Sequence, residues 1–421
     1  MIPAVRTFGR LLARHGLALA AWYLAGEALH EIFVQLAGFI GGLTTLGGLL
    51  LLPLAVAARL VSYVAMYLTV QRSLPHSASD HRPGYRQFAQ TTLVAILPFF
   101  AFYAAWGMLD VDIKAFFNIA SGIALRDASY DAAQLGDRGG LIAVGVLPVA
   151  VLVIALVVRV LLARIGGRLP TWTLALAAYA EVVWTFMLFT LVGQWWAQAK
   201  EWIADRAGVA WFEGIGDWFG AHVLPVAALW ETVLWLVGLV VAAVVVPAAW
   251  LTVAGVIYGT TFDATPAVLG RIEQAPPGAV SNLARNLALR LEGLWAALAL
   301  IWRGGPVVFG CTALAYAVWS WAEQVGSRGL LQLVGAHDTA FWSGFFPLLL
   351  VAVAAVAEPL RVAIVATAFD TVVGRPEARM GTRESGFDGE ARDLVGAGDV
   401  ERERPVGVVG EQEHREDGIG A

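Results

Sequence analysis

Eight long apolar stretches lie between residues 13 and 373, and the arginines between them fall in every second connection, beginning before the first stretch. Lipid offers backbone N–H and C=O groups no partners, so an apolar run of about 20 residues crosses a bilayer as a helix that bonds to itself. Short loops rich in Lys and Arg resist translocation, so the alternation also orients the chain. The expectation is a multi-pass protein of a bacterial-type cytoplasmic membrane with both termini cytoplasmic. Its fold class is an all-α polytopic membrane protein of about eight transmembrane helices, arranged as four helical hairpins.

The spans read from the sequence are 13–36, 46–70, 89–109, 141–163, 171–193, 232–260, 306–325 and 345–373. Arg6, Arg10 and Arg14 precede the first, and Arg72, Arg82 and Arg86 follow the second. Arg159, Arg164 and Arg168 close the fourth, while Arg271, Arg285, Arg290 and Arg303 separate the sixth from the seventh. On the opposite side Lys114, Arg126, Arg138, Lys200, Arg206 and Arg328 each stand near as many or more acids.

Composition agrees with the spans. Of 421 residues 58% are hydrophobic and 14% charged, and the mean hydropathy of +0.69 exceeds what a soluble domain can bury. The net charge of −5 comes from residues 375–421, where seven Arg face twelve Asp and Glu. That segment has almost no aromatic residues and is expected to be a disordered acidic cytoplasmic tail. Nothing in the charge points to nucleic acid. The lone Cys311 excludes an intramolecular disulfide.

The outer connections carry amphipathic patterns. Over 194–222, Trp195, Trp202 and then Trp211, Trp218 fall on apolar faces, and 110–125 places Ile113, Phe116, Phe117 and Ala120 together. Such helices lie in the membrane interface, where tryptophan anchors them, so these four tryptophans are expected interfacial anchors. Residues 281–302 give a further leucine stripe on the cytoplasmic side.

Hairpins divide the chain at 1–72, 85–168, 171–263 and 285–374. Local matches support a repeat: Tyr103-Ala-Ala-Trp106 with Asp110 mirrors Tyr316-Ala-Val-Trp319 with Glu323, and Thr261-Phe262-Asp263 mirrors Ala368-Phe369-Asp370. Proline follows the second pair at Pro266 and Pro376, where convergent helix punctuation would look the same.

A charged side chain within a span costs about 2.5–3.5 kcal/mol on insertion scales and therefore needs a reason. Four qualify: Arg59, Glu181, Glu358 and Arg361. Glu358 and Arg361 share a helix face around Pro359, and Pro247 interrupts the sixth span in the corresponding hairpin arm. Paired interruptions of that kind line substrate or ion pathways in secondary transporters. Structural ion pairing is the competing reading of Glu358 and Arg361. Glu181 has no basic neighbour on its own helix, so it needs a proton role or a partner such as Arg59.

Glu27, His30 and Glu31 share a face near the outer end of the first span and read as a polar patch, because a di-iron site needs Glu-x-x-His twice. No metal or cofactor is expected, and no Walker A sequence or nucleophile elbow is present. The Gly38 to Gly42 and Gly255 to Gly259 spacings read as ordinary helix packing, with a homodimer through the sixth span as the alternative. Two functions therefore stand side by side: a secondary transporter or permease working through Glu181, Glu358, Arg361 and Arg59, and a noncatalytic membrane scaffold or assembly factor. The expected partners are the lipid bilayer and either a second copy or another membrane protein. An enzyme has no constellation to stand on.

Overall fold

The computed structural model describes residues 2–77, 85–131, 136, 138–140, 146–165, 173–204, 206, 224–258 and 305–396. Among these every regular element is helical: α1 Ile2–Leu43, α2 Thr45–Gln71, α3 Tyr85–Ala105, α4 Met108–Asp127, α5 Val146–Ile165, α6 Thr173–Ala204, α7 Leu224–Ile257, α8 Pro306–Val334 and α9 Thr339–Gly396. Four are long and apolar enough to cross a membrane, over Pro3–Leu43, Thr45–Gln71, Ala175–Ala204 and Thr339–Gly374. The pair Thr91–Ala105 and Met108–Asp127, bent by 77°, makes a fifth if taken as one broken span. Shorter apolar helices run over Leu147–Leu162 and Ala243–Ile257.

The compact unit Met1–Val373 is built around α2. That helix packs on α1 and reaches α3, α4, α6 and α7, while α5 packs on α6 and α7 on α8. Small residues let α1 and α2 approach closely: a Cβ on Gly26 would stand 2.3 Å from Ser62 Cβ, and Ser62 Oγ donates to the Trp22 carbonyl at 2.7 Å. Close backbone approach is what drives helix association where lipid is as apolar as the side chains.

The helix expected over 110–125 forms as α4 and docks on α1. Ile119 and Ile123 of α4 sit against Gly38 and Gly42 of α1, and Phe116 fills a notch between Gly41, Gly48 and Gly140. Phe116, Ala120 and Ala124 are buried against α1 and the start of α2, while Phe117 of the same apolar face is exposed. The Gly38 to Gly42 spacing thus serves α4 within the same chain. A short return closes the notch, with Gly139 N donating to the Gly41 carbonyl at 3.2 Å and Gly140 N to Thr45 Oγ1 at 3.2 Å.

Helix α6 also departs from the expected layout. It continues without a break through Ala204, so Trp195 and Trp202 extend the helix that begins at Thr173 instead of opening a separate one. They are 57% and 61% exposed. Trp211, Trp218, the 281–302 stripe, Thr261-Phe262-Asp263 and Gly259 lie outside the described residues. Residues Gly374–Ala421 form a second unit, helical in its backbone as far as Gly396.

Candidate functional site

Helix α2 carries Arg59 and Tyr63 one turn apart on one face, and each organises a buried polar cluster. Around Arg59, Nη2 and Nε donate to the Glu27 carboxylate of α1 at 2.8 and 3.1 Å. Its Nη1 donates to the Tyr103 hydroxyl of α3 at 2.7 Å, and that hydroxyl donates onward to Asp112 Oδ2 of α4 at 2.6 Å. Asp112 Oδ1 stands 3.1 Å from His30 Nε2 of α1. One guanidinium fork therefore ties four helices, using the bidentate geometry that only arginine offers.

Around Tyr63 the same chemistry recurs with different helices. Arg361 Nη2 of α9 donates to the Tyr63 hydroxyl at 2.7 Å, and that hydroxyl donates to Glu358 Oε2 at 3.1 Å. Arg361 is also ion-paired directly with Glu358 one turn earlier. Its guanidinium carbon lies 3.7 Å from the Trp250 ring of α7, 5.1 Å from Tyr63 and 5.6 Å from Trp319 of α8. Desolvated cation–π contacts of this kind strengthen where water is excluded. Trp319 Nε1 in turn donates to the Ala357 carbonyl at 2.7 Å.

The two clusters adjoin through aromatic rings. Tyr63 and Phe99 have centroids 5.9 Å apart, and Phe99 stacks on Tyr103 at 5.7 Å. Trp106 stacks on Trp250 at 5.3 Å. Both tyrosines and both tryptophans of the matched Tyr-Ala-x-Trp sequences therefore face the interior, yet the buried acid beside Tyr103 is Asp112 and not Asp110, which is exposed.

Glu181 stands apart from both clusters. It is 1% exposed on α6, and Arg159 Nε of α5 donates to its Oε2 at 2.5 Å. Pairing with Arg59 does not occur, because Arg59 is already held by Glu27. Arg159 counted as a basic residue closing the fourth span, but it sits on α5 three turns after the helix begins and turns its charge inward.

The Glu27, His30 and Glu31 patch also divides. Glu27 and His30 face the interior, whereas Glu31 is exposed and accepts a bond from Gln35 Nε2 at 2.8 Å. Asp370 forms a further buried anchor: its Oδ1 accepts the backbone N–H groups of His76 and Ser77 at 2.8 and 2.9 Å, with His76 Nδ1 3.0 Å from Oδ2. It pins the turn after α2 to α9, a role signalled in sequence only by the Phe369-Asp370 match.

Each of these in-span charges is paired with another side chain of the chain. Neither of two cavities among the described residues, about 460 and 400 Å³, is lined by Arg59, Glu181, Glu358 or Arg361. Among the described residues no group of three His, Cys, Asp or Glu stands close enough to hold a metal ion. No family model, curated protein or solved structure matches this chain.

Proposed function

We propose that this chain is a noncatalytic membrane scaffold or assembly factor, with eight spans in four hairpins and both termini on the cytoplasmic side of a bacterial-type cytoplasmic membrane. One observation carries the reading: every in-span charge singled out as a pathway residue is ion-paired to another side chain of the helix packing. A transport path must offer its charges to a solute or ion, and these are committed to their neighbours. Exposed Trp195, Trp196 and Trp202 on α6 supply a face for lipid or for a protein partner.

The transporter reading draws support from a different observation, two adjoining chains of hydrogen-bonded polar groups, one through His30, Asp112, Tyr103 and Arg59 and one through Arg361, Tyr63 and Glu358. Proteoliposomes loaded with a pH-sensitive dye separate the two. The scaffold predicts proton and cation flux at the level of empty vesicles, unchanged in Glu358→Gln, together with one stoichiometric protein captured from native membranes by a photo-crosslinker at Trp202. Flux above background that Glu358→Gln abolishes would overturn it in favour of transport.

A further inference from the structure

We propose that the cavity between Arg14 of α1 and Arg72 at the end of α2 binds the phosphate headgroup of an anionic phospholipid. It is lined by Arg14, Arg72 and Ser73, with Leu68 one turn before Arg72 and Trp22 and Ala65 further along the same two helices, and has a volume of about 460 Å³. A second cavity of about 400 Å³ shares Arg14 and Ser73 with it and adds Arg10. The two adjoin at Arg14 and Ser73, and among the described residues their linings contain three guanidiniums and no carboxylate.

The guanidiniums are open to a ligand. Arg14 and Arg72 are exposed and make no hydrogen bond or ion pair among the described residues, in contrast to the committed Arg59, Arg159 and Arg361. Arg10 has only a 3.4 Å contact with Thr7 Oγ1. Beside them His15 Nε2 and Ser73 Oγ, 2.8 Å apart, join α1 to the turn after α2 and hold the two basic arms in register. Guanidinium forks match phosphate oxygens in geometry as well as charge.

The order of the lining residues selects an amphiphile over a free ion. Eight residues separate Arg14 from Trp22 and seven separate Arg72 from Ala65, which places the apolar end about 10–12 Å along both helices from the basic end. Charge therefore lies at the C-terminal end of α2 and in the third and fourth turns of α1, and apolar surface lies further towards the middle of both helices. A phospholipid presents the same order, with phosphate at the interface and glycerol and first methylenes below. The proposal rests on α1 and α2 crossing the membrane and is independent of the scaffold role.

The test uses the full chain in nanodiscs and in neutral detergent, with native mass spectrometry and thermal unfolding as readouts. The expected result is retention of phosphatidylglycerol over phosphatidylcholine, weakened about 30-fold in Arg14→Gln/Arg72→Gln, since each basic side chain at a membrane surface contributes roughly a factor of five. Arg14→Gln alone should weaken retention about fivefold, whereas Arg6→Gln, which removes the same single charge outside the cavity, should leave it unchanged. Leu68→Trp, which fills the apolar end, should lower lipid retention while the protein keeps its unfolding temperature in phosphatidylcholine. Equal loss in Arg6→Gln would overturn the site in favour of diffuse attraction, and stabilisation by inorganic phosphate alone to the same degree would overturn the lipid. A chain that incorporates into phosphatidylcholine nanodiscs without preferring phosphatidylglycerol overturns the site and leaves the spans standing. A chain that fails to incorporate overturns both.

Discussion

Tyr63 and Tyr103 occupy the same place in two relays: each hydroxyl accepts a bond from an arginine and donates one to a carboxylate. Arg59, Tyr103 and Asp112 form one relay, and Arg361, Tyr63 and Glu358 the other. A tyrosine suits this position because its single hydroxyl both accepts and donates while its ring packs against apolar neighbours. Since Arg59 and Tyr63 are one turn apart on α2, that helix belongs to both relays and joins α1, α3 and α4 to α7, α8 and α9.

Tyr63→Phe should remove both bonds while keeping the ring, taking one hydrogen-bond partner from each of Arg361 and Glu358. The expected loss is about 1–3 kcal/mol, the cost of stranding buried polar partners. Thermal unfolding in neutral detergent should show Tyr63→Phe and Tyr103→Phe falling by comparable amounts, and no shift in either would deny the relays an energetic role.

Arg361→Lys keeps the charge and loses the fork and the stack on Trp250. The variant should be less stable by about 3 kcal/mol or more, close to the cost of breaking a buried pair, because an ammonium cannot meet Tyr63 and Glu358 in one plane. A lysine variant unfolding at the wild-type temperature would show that charge alone suffices there.

Glycines on α1, α2 and α4 should respond in opposite directions. A Cβ at Gly48 would stand 2.5 Å from Phe116 Cε2 and 2.8 Å from both the Ala37 carbonyl and Gly41 Cα, so Gly48→Ala pushes on backbone and should cost about 1–3 kcal/mol. At Gly122 the nearest atom is Arg126 Nη2 at 3.9 Å, so Gly122→Ala should stabilise α4 by about 0.5–1 kcal/mol. Paired melting curves check the sign of each.

Asp370→Ala should release the turn after α2, since the two backbone N–H groups of His76 and Ser77 lose their acceptor. Hydrogen exchange at residues 73–77 should accelerate while exchange in the middle of α2 stays protected. Unchanged protection at His76 and Ser77 would remove the anchor.

Apolar periodicity and the arginine alternation made the helical, membrane-compatible class legible, and single charges in apolar runs made Arg59, Glu181, Glu358 and Arg361 stand out. Their partners were hidden for a physical reason: a pair such as Glu27 with Arg59 or Arg159 with Glu181 depends on which helices touch, and apolar sequence carries no address for that. Arg159 was masked because it resembles a loop arginine, and Asp112 because exposed Asp110 fits the repeat spacing better. The docking of α4 was written in sequence twice, in its apolar face and in Gly38, Gly41 and Gly42. Neither signal alone tells lipid from a neighbouring helix.

The most direct test of the claim that the in-span charges are structural is a double-mutant cycle on Glu27 and Arg59, read as unfolding free energy in detergent. Glu27→Gln and Arg59→Gln should each cost about 1–3 kcal/mol by taking the main partner from a partly buried charge, and the double variant should cost less than their sum, giving a coupling of about 1 kcal/mol or more. Additive losses with no coupling, or single variants as stable as wild type, would contradict it.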